Sequence, residues 1–137
     1  MHDFTYSGHE SFSLRISWLP KAVAALEKGD DPFSDPRFGM TTLGLGKNMI
    51  QSLYFWVVAT GLADRTDEGL RLTGFAQKVL GRRRAGFDPY LENTQTLWLL
   101  HWNLCHGWLE GQKRRRPYAW HFFMNILAND EITAPRQ

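Results

Sequence analysis

Cysteine is nearly missing from this chain of 137 residues: Cys105 stands alone, so no internal disulfide can form, which points to a reducing compartment. Long apolar runs are also missing. Gly, Asn or His interrupts every stretch well short of the roughly 20 residues that cross a bilayer, so no membrane is expected. The opening residues Met1-His2-Asp3-Phe4 lack the basic-then-apolar pattern of a secretory signal, and the expected location is the cytoplasm. Net charge is only +2, too small by itself to imply a nucleic acid.

What the chain has in excess is aromatic rings, 14% of residues with six Trp and nine Phe, enough for both a core and docking surfaces. Its charge is unevenly placed. Arg82-Arg83-Arg84 and Lys113-Arg114-Arg115-Arg116 are compact basic runs, while the acids are scattered or lie at Asp30-Asp31 and Asp64 to Glu68. Each run alone reads equally well as a solvated loop.

Leu14, Trp18, Leu19, Val23 and Leu26 recur at helical spacing, which predicts an amphipathic helix over 12–28, capped by Ser11 or Ser13, kinked at Pro20 and closed by Gly29. After an Asp/Pro/Ser-rich loop, a short helix begins near Asp35-Pro36. A turn through Gly44 and Gly46 follows, then a longer helix from Lys47 to about Thr60, ended by Gly61. The segments 62–65 and 70–73 flank a Gly-bearing tip and predict a β-hairpin. A short helix then runs to Gly81; Asp88-Pro89 and Asn93 read as helix caps, and an almost uniformly apolar helix carries Trp98 and Trp102. Residues 118–127 form a final apolar segment that reads as helical.

The expected fold is therefore mainly α: a winged helix-turn-helix with a small hairpin wing and additional C-terminal helices. Residues 1–81 would form the DNA-binding domain and 82–137 a helical extension packing on it or on a partner. In the helix from Lys47, one side holds Met49, Ile50, Leu53, Trp56, Val57 and Thr60; the other opens with Lys47, Asn48, Gln51, Ser52 and Tyr54. That is the asymmetry of a recognition helix, polar where it enters the major groove and apolar where it anchors. Asn48 and Gln51 carry the amides that read adenine edges, and Lys47 reaches guanine or phosphate, as Ser52 reaches phosphate. Arg65 and Arg71 on the wing are further candidates, although Asp67 and Glu68 at its tip repel a backbone. Arg82, Arg83, Arg84, Lys113, Arg114, Arg115 and Arg116 are candidates for the salt-sensitive grip. A winged helix used for protein contact, its polar start merely solvated, is the competing reading.

The segments Gly8-His9-Glu10-Ser11-Phe12 with Leu14-Arg15 and Trp18-Leu19, Leu43-Gly44-Leu45-Gly46-Lys47-Asn48-Met49, and Asp88-Pro89-Tyr90-Leu91-Glu92 with Thr96-Leu97-Trp98-Leu99-Leu100-His101 resemble the bacterial domain-of-unknown-function 4007 family. The resemblance implies double-stranded DNA within a phosphorothioation-type modification or phage-defence system, with other subunits of that system or a second copy of the chain as partners. One branch of the family is regarded as a DNA-nicking subunit. Members are commonly longer, so this chain resembles their N-terminal part.

No catalytic centre is expected in this chain alone. His101 and Cys105 share a helix face, but two ligands do not make a metal site, and neither metal nor cofactor is expected. Glu10, Asp88 and Glu92 are the acids a nicking endonuclease would draw on, yet they lack a recognisable spacing, and Asp88 reads as a helix cap. A third reading is an interaction module that docks through Trp98, Trp102, Phe122 and Phe123.

Overall fold

The computed structural model describes residues 4–5, 8–106 and 116–122. In chain order it forms β1 (Phe4–Thr5), α1 (Trp18–Glu27), α2 (Pro36–Leu43), α3 (Lys47–Ala59), β2 (Ala63–Thr66), β3 (Gly69–Leu72), α4 (Gly74–Val79), α5 (Thr94–His106), β4 (Arg116–Pro117) and α6 (Tyr118–His121). It is mainly helical with one antiparallel hairpin, and a short parallel pair, β1 with β4, joins the two ends.

Helix α1 starts later than its periodicity predicts. Ser17 is the N-cap and its side chain makes no capping bond; residues 12–15 carry no regular structure, the Phe12 carbonyl is taken by the Trp56 indole N–H, and a turn through Arg15 and Ile16 leads into the helix. Pro20 therefore lies in the first turn, where an amide has no intrahelical partner to lose, and the expected kink has no cause.

The α2–α3 corner is written in local chemistry. Asp35 accepts the amide N–H groups of Arg37 at 2.6 Å and Phe38 at 3.1 Å, with Pro36 at the first helical position. Gly44 ends α2 at φ +66°, a left-handed turn that a residue with a Cβ adopts only at a cost. Gly46 then caps α3.

The core gathers Leu19 and Val23 of α1, Leu53, Trp56 and Val57 of α3, Leu62 and Ala63 at the hairpin base, Ala76 of α4, and Leu100 and Leu104 of α5. One buried cluster thus draws on residues on both sides of Gly81, and the Asn103 amide donates to the Thr60 carbonyl at 2.8 Å, fastening α5 to the end of α3. Burial on this scale, at about 25 cal/mol per Å² of apolar surface, is the main stabilising term.

The hairpin is tied at both ends. The Thr73 hydroxyl donates to the Gly61 carbonyl at 2.7 Å and accepts the Ala76 amide N–H at 3.1 Å, so one side chain fixes the end of α3 and the start of α4. Asp31 accepts N–H groups from Phe33 and, 39 residues away, from Leu70, which fastens the 29–36 loop to β3. Among the described residues no helix is long and apolar enough to cross a membrane.

Candidate nucleic-acid interface

Helix α3 has two characters, as its sequence predicts, but the division runs differently. Lys47, Asn48 and Gln51 are exposed, and from Ser52 onward every residue is buried except the half-buried Tyr54 and Phe55. Ser52 must therefore be removed from the candidate contacts: it is fully buried, with no hydrogen bond to its hydroxyl. It lies on the flank shared with Phe55, Trp56 and Ala59, and residues 8–12 cover that flank. His9 stacks on Trp56 with ring centroids 5.9 Å apart and meets Phe55 edge-on, while the Trp56 indole N–H donates to the Phe12 carbonyl at 3.2 Å.

The start of α3 opens on a groove of about 500 Å³ lined by Gly8, Glu10, Phe33, Pro36, Lys47, Ile50, Gln51 and Tyr54. Gly46 supplies no side-chain cap, so no capping side chain takes the first amides of α3. Tyr54 belongs to the wall of this surface: its ring meets Phe33 edge-on at 5.5 Å, and the Arg65 guanidinium of the hairpin lies 5.1 Å from its centroid. Arg65 is thereby held against α3.

Arg71 pairs across the hairpin with Asp64 in register and shares a second groove, of about 430 Å³, with Arg83 and Arg84. Glu27 and Glu68 line the same groove, so its charge is mixed. Arg82 is anchored through its main chain, its N–H donating to Glu27 Oε2 at 3.0 Å. Lys113, Arg114, Arg115 and Phe123 lie outside the described residues; Arg116 lies in β4, and Phe122 is exposed.

The acids do not assemble. Glu10 stands at the α3 groove, while Asp88 and Glu92 precede α5; among the described residues no three His, Cys, Asp or Glu side chains are placed to hold a metal ion. Asp88-Pro89 does not open a helix either. A turn follows, with Leu91 at φ +56°, and the Asp88 carboxylate instead accepts the N–H groups of Glu92 at 2.9 Å and Asn93 at 3.0 Å; Asn93 then caps α5 through the Gln95 N–H. Cys105 is buried 3.5 Å from His101 Nε2, and burial pushes its thiol pKa up, away from the reactive thiolate.

Burial acts to raise the Asp88 pKa, but the N–H groups of Asn93 and Glu92, the neighbouring Thr96 hydroxyl and the Leu91 N–H outweigh it, and the net shift is downward. A carboxyl depressed on folding stabilises the protein above its unfolded pKa, and that contribution is lost as pH falls through the folded one. Asp88→Asn is expected to cost about 1–3 kcal/mol at neutral pH. Urea titrations should show the gap from the parent closing below about pH 4; a gap independent of pH would assign Asp88 no ionic role.

A mainly α domain with a glycine-turned helix pair, a following antiparallel hairpin and an exposed polar start to its third helix is the class these features define. The chain belongs to the family described as "Protein of unknown function (DUF4007)", whose model matches residues 6–136. No curated protein matches it. Among solved structures it is similar to a magnesium ion-bound SspB, with 28% identity and a TM-score of 0.72 over 87% of this chain and 36% of that one. A second SspB structure is similar at 28% identity and a TM-score of 0.70, over 88% and 37%. The chain thus spans little more than a third of these SspB chains.

Proposed function

We propose that this chain is a winged-helix module that binds double-stranded DNA in a bacterial modification or phage-defence system of the phosphorothioation type, with α3 as the recognition helix and residues 1–81 as the DNA-binding unit. The carrying observation is the exposure of Lys47, Asn48 and Gln51 on the opening turns of a helix whose remainder is locked into the core. A groove-reading helix needs that combination, because a rigid base is what holds the amide forks in register with base edges. Arg71, Arg83 and Arg84, grouped around one groove, are candidates for the backbone grip.

A gel-shift titration of a duplex of about 24 base pairs over a salt series tests this reading. Affinity should fall by an order of magnitude or more between about 50 and 200 mM salt, because several phosphates exchange counterions for arginine and lysine. Salt-independent retention, or none at low salt, would refute duplex binding.

A second reading, docking onto other subunits, is favoured by α5. Trp98 and Trp102 share one face and are 66% and 61% exposed, beside Leu99 at 50%. This amount of apolar surface left open is the mark of an interaction site.

A further inference from the structure

The loop between α4 and α5 presents two rings to solvent: Phe87 is 70% exposed and Tyr90 61%. The main chain that carries them is tightly held. Gly86 N–H donates to the Gly81 carbonyl at 2.7 Å, Phe87 N–H to Lys78 at 3.0 Å and Asp88 N–H to Val79 at 2.7 Å. At Gly86 a Cβ would meet the Gly81 carbonyl oxygen at 2.6 Å, so only glycine lets the loop close this tightly. From the other side the Asp88 carboxylate holds the chain through Glu92 and Asn93.

The same loop carries Arg82, Arg83 and Arg84, all exposed. Arg82 lies with its guanidinium 4.9 Å from the Tyr90 ring centroid. None of the three forms an ion pair among the described residues; of the two acids that share a groove with Arg83 and Arg84, Glu27 has Oε2 engaged by the Arg82 main chain, and Glu68 is the other. The loop therefore combines exposed rings on a held main chain with adjacent positive charge.

We propose that this loop is a stacking platform for unpaired DNA, Phe87 and Tyr90 taking bases and Arg82 to Arg84 the flanking phosphates. Exposed ring faces stack most readily on bases that are free of a duplex, since entering a duplex costs the unstacking of a base step, and guanidinium groups track the strand that connects them. A protein partner would call for acids opposite the arginines, and the rings alone would not supply that match. Only the choice of DNA over RNA rests on the duplex reading of α3.

Fluorescence anisotropy of the full chain, with labelled oligo(dT) and oligo(U) of about twelve nucleotides and the duplex as a third probe, separates these outcomes. Phe87→Ala with Tyr90→Ala should weaken oligo(dT) binding by about tenfold per ring and leave duplex binding within about twofold. Circular dichroism checks folding, and Phe87→Leu with Tyr90→Leu, which keeps apolar bulk without a ring, should show the same loss. Unchanged oligo(dT) affinity in both double variants, no binding by the parent chain, or tighter binding of oligo(U) would overturn the proposal. So would sedimentation showing self-association that depends on the two rings. A parent chain that binds duplex but not oligo(dT) sinks this proposal alone, whereas the reverse sinks only the α3 reading.

Discussion

Replacing Lys47, Asn48 and Gln51 together by Ala is expected to weaken duplex binding by about a hundredfold or more while leaving the melting temperature nearly unchanged. Each amide that reads a base edge bidentately contributes on the order of 1–3 kcal/mol of discrimination, and losing one lysine–phosphate contact also lowers the slope of log affinity against log salt by about one. All three side chains are exposed on α3, so their truncation removes little packing, and alanine is the stronger helix former. A gel shift at two salt concentrations, with a thermal melt alongside, reads both quantities. If base reading is the larger part, Lys47→Ala alone changes the salt slope, whereas Asn48→Ala with Gln51→Ala reduces discrimination between sequences.

Trp56→Ala should be the most damaging single change to the fold. Trp56 is 2% exposed, stacks against His9, meets Phe55 and Trp120 edge-on, and donates its indole N–H to Phe12, so it joins α3 to residues 8–12 and to α6. Truncating a buried tryptophan costs about 3–5 kcal/mol, a large share of the 5–15 kcal/mol typical of a domain. Urea denaturation should show that loss, with the melting point lower by about 10 °C or more. Trp56→Phe keeps most of the apolar volume but gives up the bond to Phe12, and its cost should be about 1–2 kcal/mol. A Trp56→Ala protein as stable as its parent would mean that residues 8–12 do not lean on α3.

The elements that could be read from the chain are those governed by neighbours in sequence. Asp35-Pro36, Gly44, Gly46 and Gly61 punctuate α2 and α3 through caps and turn angles that depend on a few residues, and the hairpin follows from short alternating segments around a tip. Long-range contacts were out of reach. Ser52 looks polar and available on a helical wheel, yet it is fully buried, on the flank where His9 and Phe12 meet Phe55 and Trp56, and periodicity carries no record of such contacts. Periodicity places the start of α1 too early because Leu14 continues the apolar spacing, while residues 12–15 are irregular and the Phe12 carbonyl is held by Trp56, 44 residues away. The β1–β4 pair joins segments over a hundred residues apart and leaves no local signal.

The candidate site shows the same split. The exposure of Lys47, Asn48 and Gln51 is legible from their position after a glycine turn. That Arg65 rests on Tyr54, that Arg71 shares a groove with Arg83 and Arg84, and that Asp31 and Glu27 anchor neighbouring loops through main-chain N–H groups are all tertiary facts. Asp88 is legible as an acceptor of main-chain N–H groups, but the turn it holds has the sequence of a helix start, because Asp followed by Pro serves both.

Cysteine protection tests duplex binding at α3 most directly. Gln51→Cys on α3 and Gln95→Cys on α5 are each alkylated with and without saturating duplex, the parent chain, whose one thiol at Cys105 is buried, giving the background. Duplex should slow modification at position 51 by about tenfold or more and leave position 95 unchanged; equal rates at position 51 with and without DNA would contradict a groove-reading α3.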